Sequence, residues 1–220
     1  MNILKLMMAA LGLALATMQL HAQTAERPTW DINDRWEYQF TRKNDGNKVT
    51  EYSHHIEGLE EGKIIIVRQN KNADGVFTGK SKVIYSADMN YVSASATESV
   101  VTPDSRTLQW PLEVGKKYAV EYEWTNASNA LKGNFEYKAT VESYEDITVP
   151  AGTFKAYKIA FKGFWNRRDS QYSGSGRSNH ILWYAPDVKR WVRWTIEDRT
   201  SNGQLYNDNV AELVKYTPAK

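Results

Sequence analysis

Hydrophobic and polar residues alternate along most of the chain beyond residue 30. In Arg35-Trp36-Glu37-Tyr38-Gln39-Phe40-Thr41 the aromatic residues fall two apart. Successive side chains of a strand point to opposite faces, so Trp36, Tyr38 and Phe40 share one face and Glu37 and Gln39 the other. The same period recurs in Tyr118, Val120, Tyr122 and Trp124 against Glu121 and Glu123, and in Phe135, Tyr137, Ala139 and Val141 against Glu136, Lys138 and Glu142. Tyr157, Ile159 and Phe161 alternate with Lys158 and Lys162, and residues 210–216 supply a last strand. In a strand spanning 188–196, Val188, Arg190, Val192, Trp194 and Ile196 line one face and leave Lys189, Trp191, Arg193 and Thr195 on the other.

Turn chemistry separates these runs. Asn44-Asp45-Gly46-Asn47 joins the first strand to a second at 49–56 as a hairpin, and Asn72-Ala73-Asp74-Gly75 lies between the Ile64-Ile65-Ile66-Val67 run and a strand at 76–86. Pro150-Ala151-Gly152 and Ala185-Pro186-Asp187 read as further turns. Residues 166–178, rich in Gly, Ser and Arg, read as an irregular loop. No segment after residue 22 sustains a capped helical period. The pattern predicts an all-β chain: a curved antiparallel sheet forming a half-barrel, open barrel or sandwich, with little helix after the signal peptide.

The N-terminus departs from this pattern. A positive charge within residues 1–5, an apolar run at 6–16 and Leu20-His21-Ala22 match a signal peptide at 1–22, which leaves residues 23–220 as one β-rich domain in the periplasm or outside a bacterial cell. The apolar run is too short to span a bilayer, which needs about 20 residues, and no transmembrane segment is expected in the mature chain. With no Cys, disulfide frameworks, thiolate metal sites and cysteine nucleophiles are ruled out, as is a lipidated cysteine anchor. The 8 Trp, 13 Tyr and 6 Phe supply enough large apolar surface for a core. Charge is uneven along the chain: residues 23–149 hold 15 basic and 20 acidic groups, whereas 150–199 hold 10 basic and 4 acidic. Such a basic stretch suits an anionic partner, and it equally fits solvated strand faces.

Candidate chemistry is sparse. His54 and His55 are consecutive on a strand and cannot chelate together, so no metal site is expected; His180 reads as an ordinary imidazole. Ser173-Gly174-Ser175-Gly176 has neither the spacing of a nucleophile elbow nor the third glycine of a dinucleotide loop. No catalytic residue and no cofactor are expected. The candidate ligand-binding set is Lys189, Trp191 and Arg193, where a Trp is flanked by two cations, joined by Arg167, Arg168 and Arg177 from the 166–178 stretch. Export and near-neutral charge argue against nucleic acid.

Asp34-Arg35-Trp36-Glu37-Tyr38, Trp110-Pro111-Leu112-Glu113-Val114-Gly115-Lys116, Val149-Pro150-Ala151-Gly152-Thr153-Phe154-Lys155 and Trp183-Tyr184-Ala185-Pro186-Asp187-Val188, taken in order, resemble the TapB-like group of exported bacterial proteins of unknown function. The resemblance spans roughly residues 34–195. It implies an all-β envelope protein similar in shape to lipoprotein carriers, and no catalytic residues. Three readings follow. The first is a non-enzymatic envelope protein binding a lipid, lipoprotein, glycan or envelope protein on an aromatic and basic surface. The second is a structural or partner-binding module of a secreted complex, and the third an envelope hydrolase.

Overall fold

The computed structural model describes residues 24–220, so the expected signal segment at 1–22 lies outside the described residues. Fourteen strands follow one another: β1 (Thr24–Ala25), β2 (Arg35–Arg42), β3 (Lys48–Glu60), β4 (Lys63–Lys71), β5 (Phe77–Ser86), β6 (Tyr91–Ala94), β7 (Ser99–Thr102), β8 (Leu112–Glu113), β9 (Lys117–Asn126), β10 (Leu131–Val149), β11 (Gly152–Arg168), β12 (Ser173–Ala185), β13 (Arg190–Thr200) and β14 (Leu205–Thr217). Apart from β1 and β8, which pair with each other, each strand lies antiparallel to the next, and β14 returns to β2 through a register running from Asn209 opposite Arg42 to Thr217 opposite Arg35. The sheet is therefore a closed barrel of 12 strands rather than a half-barrel, open barrel or sandwich. Alternation tells which face of a strand is buried but not whether the two ends of a meander meet. An even strand number lets them meet antiparallel.

The interior is filled by the aromatic faces that the sequence predicts. Trp36, Tyr38, Val120, Tyr137, Phe161 and Tyr157 are buried, while Glu121 and Glu123 are exposed; Phe40, Tyr118, Tyr122 and Trp124 are partly buried, as is Glu37. At one end the segment between β7 and β9 folds across the barrel. It inserts Leu108 and Leu112, and Trp110 meets the Tyr184 ring at 5.0 Å. Asn90 holds that segment as a strand partner would: its amide donates to the Leu108 carbonyl (2.9 Å) and its oxygen accepts from the Leu108 N–H (2.7 Å). At the same end the fully buried Asp34 accepts from Lys189 Nζ (3.1 Å), Tyr216 Oη (3.0 Å) and the Ala219 N–H (3.0 Å). One carboxylate thus fastens the entry, the β12–β13 turn and the exit of the chain together.

The opposite end carries the short turns after β2, β9, β11 and β13. There the 166–178 stretch is not a loop: β11 continues to Arg168 and β12 begins at Ser173, leaving a turn at 169–172. Its glycines have a packing cause. A Cβ on Gly176 would lie 1.8 Å from the Arg199 carbonyl oxygen, and one on Gly163 1.8 Å from that of Glu136, so only glycine lets the strands coil this closely. Outward positions are mainly charged or polar and inward ones apolar, opposite to the pattern of a barrel set in lipid. Among the described residues no helix is long and apolar enough to cross a membrane.

Candidate functional site

The six sequence-predicted site residues do not share one surface. Lys189 follows the Pro186–Val188 turn in a left-handed conformation (φ 57°) and binds Asp31 (2.5 Å) and Asp34 at the plugged end. Trp191 faces the core, not the outer face that simple alternation gives it. Tyr184 pairs with Trp191 and Trp183 with Arg193, so Val192 is an extra residue, and this β-bulge breaks the alternation so that Arg190, Trp191 and Val192 are all buried. The Trp191 ring stacks on Tyr38 at 4.0 Å. Arg193 stays outside, over the Trp183 ring at 5.5 Å and 3.7 Å from Glu212. Arg167 turns to the rim, bonded to Asp169 (2.6 Å) and Tyr206 Oη (2.9 Å). Only Arg168 and Arg177 project freely from the outer wall.

Folding also dissolves most of the charge imbalance along the chain. Lys155 pairs with Asp146, Lys158 with Glu142, Lys189 with Asp34 and Arg193 with Glu212, and Arg167 and Arg199 find acids on their own strand or turn. Among the described residues Lys162, Arg168 and Arg177 have no ion pair, and neither have Lys132 and Lys138 of β10. These five cations stand on the outer face of β10, β11 and β12, all exposed.

The registers order that face into rows. Lys132 lies opposite Arg168, then Asn134 opposite Asn166 and Ser175, then Glu136 opposite Phe164 and Arg177, then Lys138 opposite Lys162 and Asn179. Phe164 is 60% exposed. A cleft of about 740 Å³ opens along the upper rows, lined by Glu123, Trp124, Lys132, Asn134, Asn166 and Arg168 among others. A second, of about 440 Å³, continues it past Glu136, Phe164 and Arg177 and shares Asn134, Asn166, Ser175 and Ser201 with the first. Amides, hydroxyls, guanidinium groups and one open aromatic face converge here. The alternation of β10 and β11 already points Lys138 and Lys162 outward; their being opposite each other depends on a register that sequence does not give.

Two polar clusters lie inside the barrel. Asp198 accepts hydrogen bonds from Ser178, from His180 Nε2 (3.0 Å) and from Asn207 (2.8 Å). Burial pushes its carboxyl up, but the bonds and charge of its partners outweigh this and hold it below the usual range. Ser178 gives its proton to the carboxylate and not to His180, so the three do not form a nucleophile–base pair. The second cluster surrounds Arg190, 1% exposed on the inner face. Its Nη2 donates to His54 Nδ1 (3.0 Å) and Tyr85 Oη (3.1 Å), and the guanidinium lies over the rings of Trp36 (5.0 Å), Tyr85 (5.2 Å) and Tyr38 (5.8 Å). Arginine can only donate, so the His54 proton sits on Nε2. No group of three or more His, Asp or Glu among the described residues could hold a metal ion.

No family model matches the chain. No curated protein matches it either, so the resemblance to the TapB-like group rests on its phrases alone. Solved structures do match. One is a protein assigned as a lipoprotein from Parabacteroides distasonis, 15% identical, covering 88% of this chain and 99% of its own, with a TM-score of 0.53. Another is a protein assigned as exported, with a YmcC-like fold, from Bacteroides fragilis, 14% identical, covering 88% of this chain and all of its own, with a TM-score of 0.54. At such identities what is shared is the fold.

Proposed function

We propose that this chain is an exported, non-enzymatic envelope protein that binds a glycan in the cleft on the outer wall of β10–β12. The observation that carries the reading is the exposed row of Asn134, Asn166 and Ser175 beside the open face of Phe164. Amides and hydroxyls bond sugar hydroxyls, and an aromatic face stacks on the apolar side of a sugar ring. A lipid ligand is less well supported, because the space an acyl chain would take inside the barrel is occupied by Trp36, Tyr38, Tyr137 and Phe161. A strand-adding partner is also less well supported, since a closed barrel offers no long free edge. Export is supported by the N-terminal pattern of residues 1–22 and by the names of the proteins sharing the fold. The test is a glycan array probed with the labelled mature chain and with Phe164→Ala. Wild type should light a limited set of envelope saccharides, and Phe164→Ala should weaken each by about tenfold, the loss of ~1.4 kcal/mol. An array blank for the wild type overturns the reading.

A further inference from the structure

The registers of the outer wall set like charges directly against each other. Lys132 faces Arg168 across β10 and β11, and Lys138 faces Lys162 two rows beyond the amides. Residues directly opposite in antiparallel strands hold their Cβ atoms about 5 Å apart, where like charges destabilise the sheet. A carboxylate on the facing strand would have relieved either pair, as Glu142 does for Lys158 a few residues along the same two strands. Arg177, two rows from Arg168 on the neighbouring strand, has no carboxylate partner among the described residues either.

We infer that the glycan of this cleft is an acidic one, a uronic-acid polysaccharide whose carboxylates neutralise the two cationic rows while its sugar rings cross the amide row and Phe164. The inference rests on the reading of the cleft as a glycan site and adds its charge. A chain carrying carboxylates at intervals fits cations in separate rows, about 20 Å apart from the Lys132 row to the Lys138 row at 3.4 Å per residue along the strand. A guanidinium such as that of Arg168 matches a carboxylate with two parallel hydrogen bonds. The acids of this face gather on the middle rows: Glu136 beside Phe164, with Glu121 opposite it on β9, and Glu123 opposite Asn134 in the lining of the cleft, where the rings and not the carboxylates of the polymer would sit. An anionic membrane would meet a flat wall; here Lys132, Arg168 and Arg177 line the cleft, Lys138 and Lys162 stand in the next row beyond it, and Phe164 is the one large apolar side chain among the four rows.

The experiment titrates the full mature chain with polygalacturonate and with the same polymer after carboxyl reduction, by calorimetry at low and high salt. Polygalacturonate should bind at least tenfold more tightly than the reduced polymer, and salt should erode that difference. Lys138→Gln with Lys162→Gln should cut polygalacturonate affinity at least tenfold and, by removing the repulsion, raise the melting temperature of the free protein. Equal binding of both polymers, weakened by Phe164→Ala, would overturn the acidic inference and leave the glycan reading standing. Binding of neither would overturn both. Polygalacturonate binding unchanged in the double variant, or tighter binding to phosphatidylglycerol vesicles than to the polymer, would also refute the inference.

Discussion

Arg190 is a cation inside an aromatic box, and its surroundings say how it is tolerated. Withdrawing a guanidinium from water costs several kcal/mol, offset here by the rings of Trp36, Tyr38, Tyr85 and Trp191 and by bonds to His54 and Tyr85. A lysine keeps the charge but is more strongly hydrated and lacks the planar fork, so Arg190→Lys should cost about 2–3 kcal/mol of stability in urea melts; an unchanged midpoint would mean that the box does not select the guanidinium. The neighbouring His54 gives the molecule its first acid sensitivity. Burial, then the charges of Arg190, Arg68 and His55, hold it well below the ordinary imidazole value. The unfolded chain takes up that proton near pH ~6.5 while the folded one does not, so stability falls as pH drops below that point. Asp198 adds a second stage: its folded value is depressed, so its contribution is present above pH ~4 and is lost as pH falls through the lower folded value. Thermal melts from pH 8 to 3 should decline in these two stages, with His54→Gln shrinking the first, to which His55 adds because burial and Arg35 hold it low as well, and Asp198→Asn removing the second. A flat profile between pH 7 and 5 would show that His54 titrates alike in both states.

At the scale of elements, the β13 bulge decides what its side chains do. With Val192 unpaired, Trp191 turns inward onto Tyr38, whose hydroxyl donates to the Trp191 carbonyl (3.0 Å). Trp191→Ala should therefore cost about 3–5 kcal/mol, as emptying a core aromatic site does; a loss below about 1 kcal/mol would put the ring at the surface. Gly163→Ala should cost about 3 kcal/mol through overpacking against Glu136, and a variant melting like wild type would contradict the close approach. These two elements also mark where sequence reading stops. Strict alternation places Trp36, Tyr38 and Phe161 correctly because their strands are regular there. It fails at Trp191 because a bulge adds one residue without any sequence mark, and it misreads 166–178 because glycine signals a turn and a tight strand approach in the same letter. The candidate face was half legible: Arg168 and Arg177 stand on it, whereas Lys132, Lys138 and Lys162 join them only through cross-strand register.

For the whole molecule, closure is the property to test. β2 and β14 are the first and last strands of the barrel and are held by each other. A chain ending at residue 204 would bare the edges of β13 and β2, the unpaired backbone that promotes association. Size-exclusion chromatography should find it aggregated or unfolded; a monomer with the native circular dichroism spectrum would mean that the other strands suffice. The Asp34 fastening has a separate consequence, for how the protein is displayed. Because the chain enters through β1 and leaves through β14 at the plugged end, while the cleft opens beside the turns of the other end, any tether, tag or fused partner joined to either described terminus stands clear of the cationic wall. Immobilised from either end, the barrel would hold that wall outward like a lamp on its stand, free to meet a polymer in solution.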